Sequence, residues 1–253
     1  FTETFADDLA EAAWKEFQTL EAEGGYADSL IAGSFQKRIA EKREARAKDI
    51  AKRKVPITGV SEFPLLDEIA APVADAPSVT PKDGISNEGF AHFVTADLPT
   101  DEADATAEAL PRIRLAEDYE ALRDAASAAP KRPSIFLATL GPLAEHNARA
   151  DFARNLFAAG GLEATQPPVP PQSPSEAAAA FKASSSKIAC ICGADARYKD
   201  EAVETAKALK AAGALHVWLA GKFEGDSIDS NIFMGCDVLH TLKLAHANLG
   251  VAQ

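Results

Sequence analysis

From Pro133 onward, short apolar runs alternate with segments in which apolar residues recur every three or four positions. The runs Ser134–Thr139, Leu162–Thr165, Lys187–Cys192, Leu215–Leu219 and Asp237–Leu239 read as strands. The intervening segments read as helices: Asn147–Ala159 with Phe152, Leu156 and Phe157 facing inward, Ser175–Ala183, and Asp200–Ala212 with Val203, Ala206 and Leu209. A short helix over Ser227–Phe233 and a last one over Leu242–Leu249 complete the pattern. Strand–helix units of this period predict an α/β fold, a doubly wound parallel five-stranded sheet with helices on both faces and a flavodoxin/Rossmann-like strand order.

The first 66 residues follow a different rhythm. Leu9, Ala12, Ala13, Phe17 and Leu20 recur at helical spacing, and Gly24-Gly25 stops that helix. A second helix, Ala27–Ile31, ends at Gly33. A third runs from Phe35 to about Arg53, with Ile39 and Ile50 on one side of a densely charged, solvated surface. Ile57–Ser61 reads as a short strand. Three helices and one strand cannot close a sheet, which suggests the tail of a larger α/β barrel. Residues 67–130 are rich in Ala, Pro, Asp and Glu and read as a linker. Within that linker lie an apolar island, Phe90–Val94, whose His92 reads as a surface or packing residue rather than a ligand, and a helix, Tyr119–Ser127, with Tyr119 and Leu122 on one face. The expected organisation is therefore a barrel end over 1–66, a linker over 67–130 and an α/β domain over 131–253.

Charge narrows the partners. A net charge of −12 argues against nucleic acid and anionic membrane surfaces. No apolar run reaches the roughly 18 residues that span a bilayer, and the early acids Glu3, Asp7 and Asp8 are unlike a secretory signal. The chain opens on Phe, which reads as a fragment or a processed product. Cys190, Cys192 and Cys236 do not make a disulfide framework; the first two share a strand face and read as small apolar fillers in a reduced, cytoplasmic protein rather than a metal site.

The chemistry-bearing segment is Ser134–Arg149, an apolar run ending at Gly141 and leading into a helix. Such a strand–turn–helix unit places ligands at the carboxyl ends of the strands. With Ala12–Phe17, Glu23–Gly25 and Ile57–Pro64, it resembles the methylmalonyl-CoA mutase family; the Ser61-Glu62-Phe63-Pro64 ending is similar to the small, non-catalytic subunit of the heterodimeric bacterial enzymes. The resemblance implies a cobalamin-binding-like domain following the end of a (β/α)8 substrate barrel. It also implies a loop of the form Asp-x-His-x-x-Gly whose His is the lower cobalt ligand. In this sequence the Asp position is Ala144, the His is His146 and the Gly position is Arg149. The family's Ser-x-Leu becomes Cys192, Gly193 and Ala194, its Gly-Gly becomes Ala220-Gly221, and its Gly-Pro-Gly-Thr is read at His240-Thr241-Leu242-Lys243.

Degenerate loops at four places set the expectations. No catalytic, cofactor-binding or metal-ligating residue is expected in this chain, with His146 as the alternative cobalt ligand. His146 is expected to cap a helix or lie at the surface, and Gly141 to make a tight turn with positive φ. Asp195, Arg197, Tyr198 and Lys199 are expected in a solvated loop after the third strand, and Trp14 and Trp218 as core or interface anchors. The resemblance implies a structural subunit of an adenosylcobalamin-dependent isomerase of propionate metabolism, partnered by a catalytic large subunit that holds the cobalamin. The alternatives are an active cobalamin domain using His146 and an α/β module repurposed for a small anion.

Overall fold

The central strands are apolar on both faces, as strands covered by helices on either side must be. In the computed structural model, which describes residues 1–68 and 107–251, β1 (Ser134–Thr139), β3 (Ile188–Cys192) and β4 (His216–Ala220) are buried along almost their whole length. Two three-residue strands, β2 (Glu163–Thr165) and β5 (Ser230–Ile232), flank them. The order is β2-β1-β3-β4-β5, and every neighbouring pair is parallel. Phe136 is paired with Ala189, Cys190 with Trp218 and Leu219 with Asn231. The winding direction reverses between β1 and β3, so a crevice opens at their carboxyl ends.

Alternation along the strands builds two cores. Ile135, Leu137, Cys190 and Trp218 point into one, and Phe136, Ala138, Ile191 and Leu219 into the other. The helices are numbered α1 (Thr2–Ala22), α2 (Tyr26–Ile31), α3 (Ser34–Ala51), α4 (Glu117–Ala128), α5 (Leu143–Ala158), α6 (Pro174–Ser184), α7 (Asp195–Arg197), α8 (Val203–Ala211) and α9 (Val238–Leu249). The first core is closed by Tyr119 and Leu122 of α4, Leu156 and Phe157 of α5, and Leu242 and Ala245 of α9. The second is closed by Phe181 of α6 and by Ala206 and Leu209 of α8. The carboxyl end of α3 adds Ile50 to the first core, and the Tyr119 hydroxyl donates to the Ile50 carbonyl at 3.3 Å.

Several expectations need correction. Ser227–Phe233 is not a helix; it contains the edge strand β5, in which Ser230 and Asn231 are polar and half-buried and only Ile232 is buried. Asp237–Leu239 is not a strand. Asp237 is the N-cap of α9, its Oδ1 accepting the His240 N–H at 2.8 Å, and Val238-Leu239 form the first turn of the helix. Two adjacent apolar residues fit either element, and the Asp cap decides for the helix. Ile57–Ser61 forms only an isolated bridge, Thr58 with Glu62, inside a turn that the Ser61 hydroxyl closes by accepting the Ile57 N–H at 2.9 Å. The third-strand loop is helical from Asp195, through a π turn over Tyr198–Ala202.

The described residues divide into two compact units, 1–41 with 107–111 and 42–68 with 112–251. In the first unit α1 ends before Gly24 and Gly25, both at positive φ, as the sequence predicts. No residue of α1 is buried, so its apolar stripe, including Leu9 and Phe17, faces outward together with Trp14. Ile39 and Ile50 fall on one side of α3, where Ile39 is exposed and Ile50 buried. Phe90–Val94 and His92 lie outside the described residues. Among the described residues no helix is long and apolar enough to cross a membrane.

Candidate functional site at the carboxyl edge of the sheet

β1 leaves the sheet through Leu140-Gly141-Pro142. Gly141 has φ 75°, a conformation that favours glycine, and a Cβ there would lie 2.7 Å from the Glu145 carboxylate oxygen Oε2. Pro142 is the N-cap, and α5 starts at Leu143, four residues before the predicted Asn147. Ala144, Glu145 and His146 therefore sit in the first helical turn. His146 is neither a surface nor a side-chain capping residue: it is 3% exposed, and its Nδ1 donates to the Gly141 carbonyl at 3.0 Å. A carbonyl only accepts, so that bond puts the proton on Nδ1 and the lone pair on Nε2. A backbone oxygen thus fixes the tautomer where Ala144 offers no carboxylate. The neighbouring Glu145 turns away to Arg197, Oε2 to Nε 2.7 Å, and Arg197 also holds Glu201 at 2.8 Å. These two carboxylates raise the Arg197 pKa further above its usual value.

One turn on from His146, Arg149 reaches across the edge. Its Nη1 donates to the Ala220 carbonyl at the end of β4, 2.7 Å, and its Nη2 to Asp195 Oδ1 at the start of α7, 2.6 Å. The guanidinium carbon lies 5.1 Å from the Tyr198 ring centroid, over the ring. Burial opposes the charge on Arg149, but Tyr198 and Asp195 outweigh it and the pKa rises. Tyr198 is 1% exposed; its hydroxyl accepts the Gly193 N–H at 2.9 Å and donates to the Ala220 carbonyl at 2.7 Å. Burial pushes its phenol pKa well above the usual value. Gly221, the one glycine at its position, has φ 150°, and a Cβ on it would lie 2.0 Å from Arg149 Nη1.

The remaining expected positions divide around this edge. Cys192, Gly193 and Ala194 run from β3 into α7, with Ala194 as its N-cap. Cys190 and Cys192 share a face as expected, Sγ to Sγ 4.0 Å, and burial pushes the Cys190 thiol up. Thr241 is not in a loop: it lies in the first turn of α9, its hydroxyl donating to the Asp237 carbonyl at 2.9 Å. The segment that follows the last strand is Phe233-Met234-Gly235-Cys236. Trp218 is fully buried and Trp14 exposed. All three cysteines are free, and no group of three His, Cys, Asp or Glu among the described residues is placed to hold a metal. The meeting of Arg149 with Tyr198 was missed from sequence. Its signal was the stripe Tyr198, Ala202, Ala206 and Leu209, which extends the inward face of α8 backward through the supposed loop.

The methylmalonyl-CoA mutase family model matches residues 1–135. This chain belongs to that family. It is 40% identical over 256 residues to the methylmalonyl-CoA mutase small subunit of Streptomyces virginiae, covering 100% of this chain and 37% of that protein. It is 39% identical over 227 residues to a probable methylmalonyl-CoA mutase small subunit of Mycobacterium bovis, covering 87% of this chain and 31% of that protein. The small subunit from Propionibacterium freudenreichii subsp. shermanii is 32% identical over 262 residues, 100% of this chain and 37% of its own length. The chain thus spans about a third of the length of these mutase-family relatives.

Proposed function

We propose that this chain is part of the small subunit of a heterodimeric, adenosylcobalamin-dependent methylmalonyl-CoA mutase, which interconverts (R)-methylmalonyl-CoA and succinyl-CoA. In this reading the chain is structural and cytoplasmic, the catalytic large subunit holds the cobalamin, and 1–66, 67–130 and 131–253 correspond to barrel end, linker and cobalamin-domain-like module. The names of the relatives support the subunit assignment.

The observation that carries the non-catalytic part is Arg149, whose guanidinium lies against Ala220, Asp195 and Tyr198 at the crevice where doubly wound folds take ligands. The residues present do not fit a corrin. His146 is buried in a formed helical turn, so its ring presents no open face to a metal. Ala144 removes the carboxylate that would raise the basicity of a ligating imidazole.

One observation favours the alternative: His146 already carries its proton on Nδ1, the tautomer a cobalt ligand needs. Arg149 and the burial of the ring outweigh it. The small-anion alternative is weaker still, because Arg149 and Arg197 are both engaged by carboxylates.

The subunit assignment is tested by coexpressing the full-length protein with a catalytic large subunit from the same source. The expected result is a stable one-to-one complex whose mutase activity survives His146→Ala in this chain. Failure to copurify, or loss of activity in that variant, contradicts the assignment.

A further inference from the structure

The groups around the Arg149 guanidinium are all electron-rich: a carbonyl oxygen, a carboxylate and the face of an aromatic ring. Each is suited to a planar cation and none to an anion. The Ala220 carbonyl accepts from two donors at once, Arg149 Nη1 and the Tyr198 hydroxyl, each at 2.7 Å. That hydroxyl in turn takes the Gly193 N–H, so the loops after β3 and β4 are joined through one phenol. Tyr198 begins the π turn, and such a turn shifts the rotational phase of the residues on either side of it. The space for the cation exists only because residue 221 has no Cβ: that atom would lie 2.0 Å from Nη1, 3.1 Å from Cζ of Arg149 and 3.1 Å from Tyr198 Cε2.

We infer that the carboxyl edge is a guanidinium receptor occupied by the chain's own Arg149, with Tyr198 as its floor and Gly221 as the gap that admits it. This deepens the reading that the edge holds no corrin, and it assigns the crevice a positive occupant. Arg149 crosses from α5 to the end of β4 and the start of α7, so the occupied receptor clamps three loop regions that in a ligand-binding doubly wound domain are left open. Its effect is to keep the edge closed.

Two experiments on the full chain test the inference. In the first, thermal unfolding compares the wild type with Arg149→Ala, which lacks the atoms of an ethylguanidinium ion. The variant melts lower, and adding ethylguanidinium chloride raises its Tm in a concentration-dependent way, as a ligand for the native state does. The wild type and the double variant Arg149→Ala, Tyr198→Leu show no such rise. Equal responses of all three proteins, or the same response to tetramethylammonium chloride, overturn the receptor.

The second experiment keeps the test open if Arg149→Ala does not fold, since Arg149→Met fills the same stem with an apolar chain. Gly221→Ala is made in the wild type and in the Arg149→Met or Arg149→Ala background. The Tm loss is larger with Arg149 present, because the new methyl meets the guanidinium only there. Equal losses in both backgrounds overturn the inference. Cobalamin binding by the wild type would instead overturn the reading on which it rests, so the two failures are distinguishable.

Discussion

Removing one oxygen from the floor of the crevice tests the geometry most simply. Tyr198→Phe keeps the ring, the packing and the cation above it, and deletes only the hydroxyl. That hydroxyl accepts the Gly193 N–H at 2.9 Å and donates to the Ala220 carbonyl at 2.7 Å. The carbonyl is not stranded, because Arg149 Nη1 still donates to it. The buried Gly193 N–H does lose its acceptor, and stranding a buried donor costs about 1–3 kcal/mol. A loss of about 2 kcal/mol is therefore expected; at a urea m-value of about 2 kcal/mol/M the midpoint falls by about 1 M. Urea unfolding followed by circular dichroism reads it. Tyr119→Phe is the internal control. Its hydroxyl makes one longer bond, 3.3 Å to the Ile50 carbonyl, so about 1 kcal/mol or less is expected. Burial raises the Tyr119 phenol to about 12, so both phenols are neutral at working pH. A Tyr198→Phe midpoint equal to the wild type, or a larger loss in the control, refutes the reasoning.

Asp237→Ala removes the N-cap of α9 and should lower stability by about 1 kcal/mol in urea melts; no loss would revive a strand at Asp237–Leu239. Phe157→Ala empties a site where Phe157 meets Trp218 edge to face at 5.5 Å, and should cost about 3–5 kcal/mol with a red shift of the Trp218 emission; an unshifted spectrum would contradict the packing. Burial, only partly offset by the Gly160 carbonyl, lowers the His246 pKa below 6.5, and burial likewise lowers that of His216. The unfolded chain then takes up these protons first, so stability falls as pH drops below about 6.5 towards the folded values. His246→Gln should flatten that fall in pH-dependent urea midpoints, and an unchanged slope would remove His246 from the explanation.

The parallel sheet was legible because its three central strands are apolar on both faces and carry no competing period. Ser134–Thr139 was placed to the residue for that reason. The errors fall where tertiary context decides. β5 has a single inward residue, Ile232, and leaves no run to read. Val238-Leu239 is too short to show whether its period is two or 3.6, and only the Asp237 cap separates the possibilities. At the site, the glycine-to-arginine change at Arg149 was visible as a loss. Where its long side chain ends was not, because Ala220, Asp195 and Tyr198 come from three separate stretches of chain. The same limit hid the partner of His146. A backbone carbonyl five residues away, at Gly141, leaves no trace in residue identity.

The central claim is that this edge is closed to cobalamin by its own side chains. Titrating the full chain with hydroxocobalamin and following the ultraviolet–visible spectrum tests it most directly. The account predicts a spectrum equal to the sum of protein and free cobalamin at every ratio. A stoichiometric shift to a histidine-ligated spectrum, abolished by His146→Ala, would contradict it.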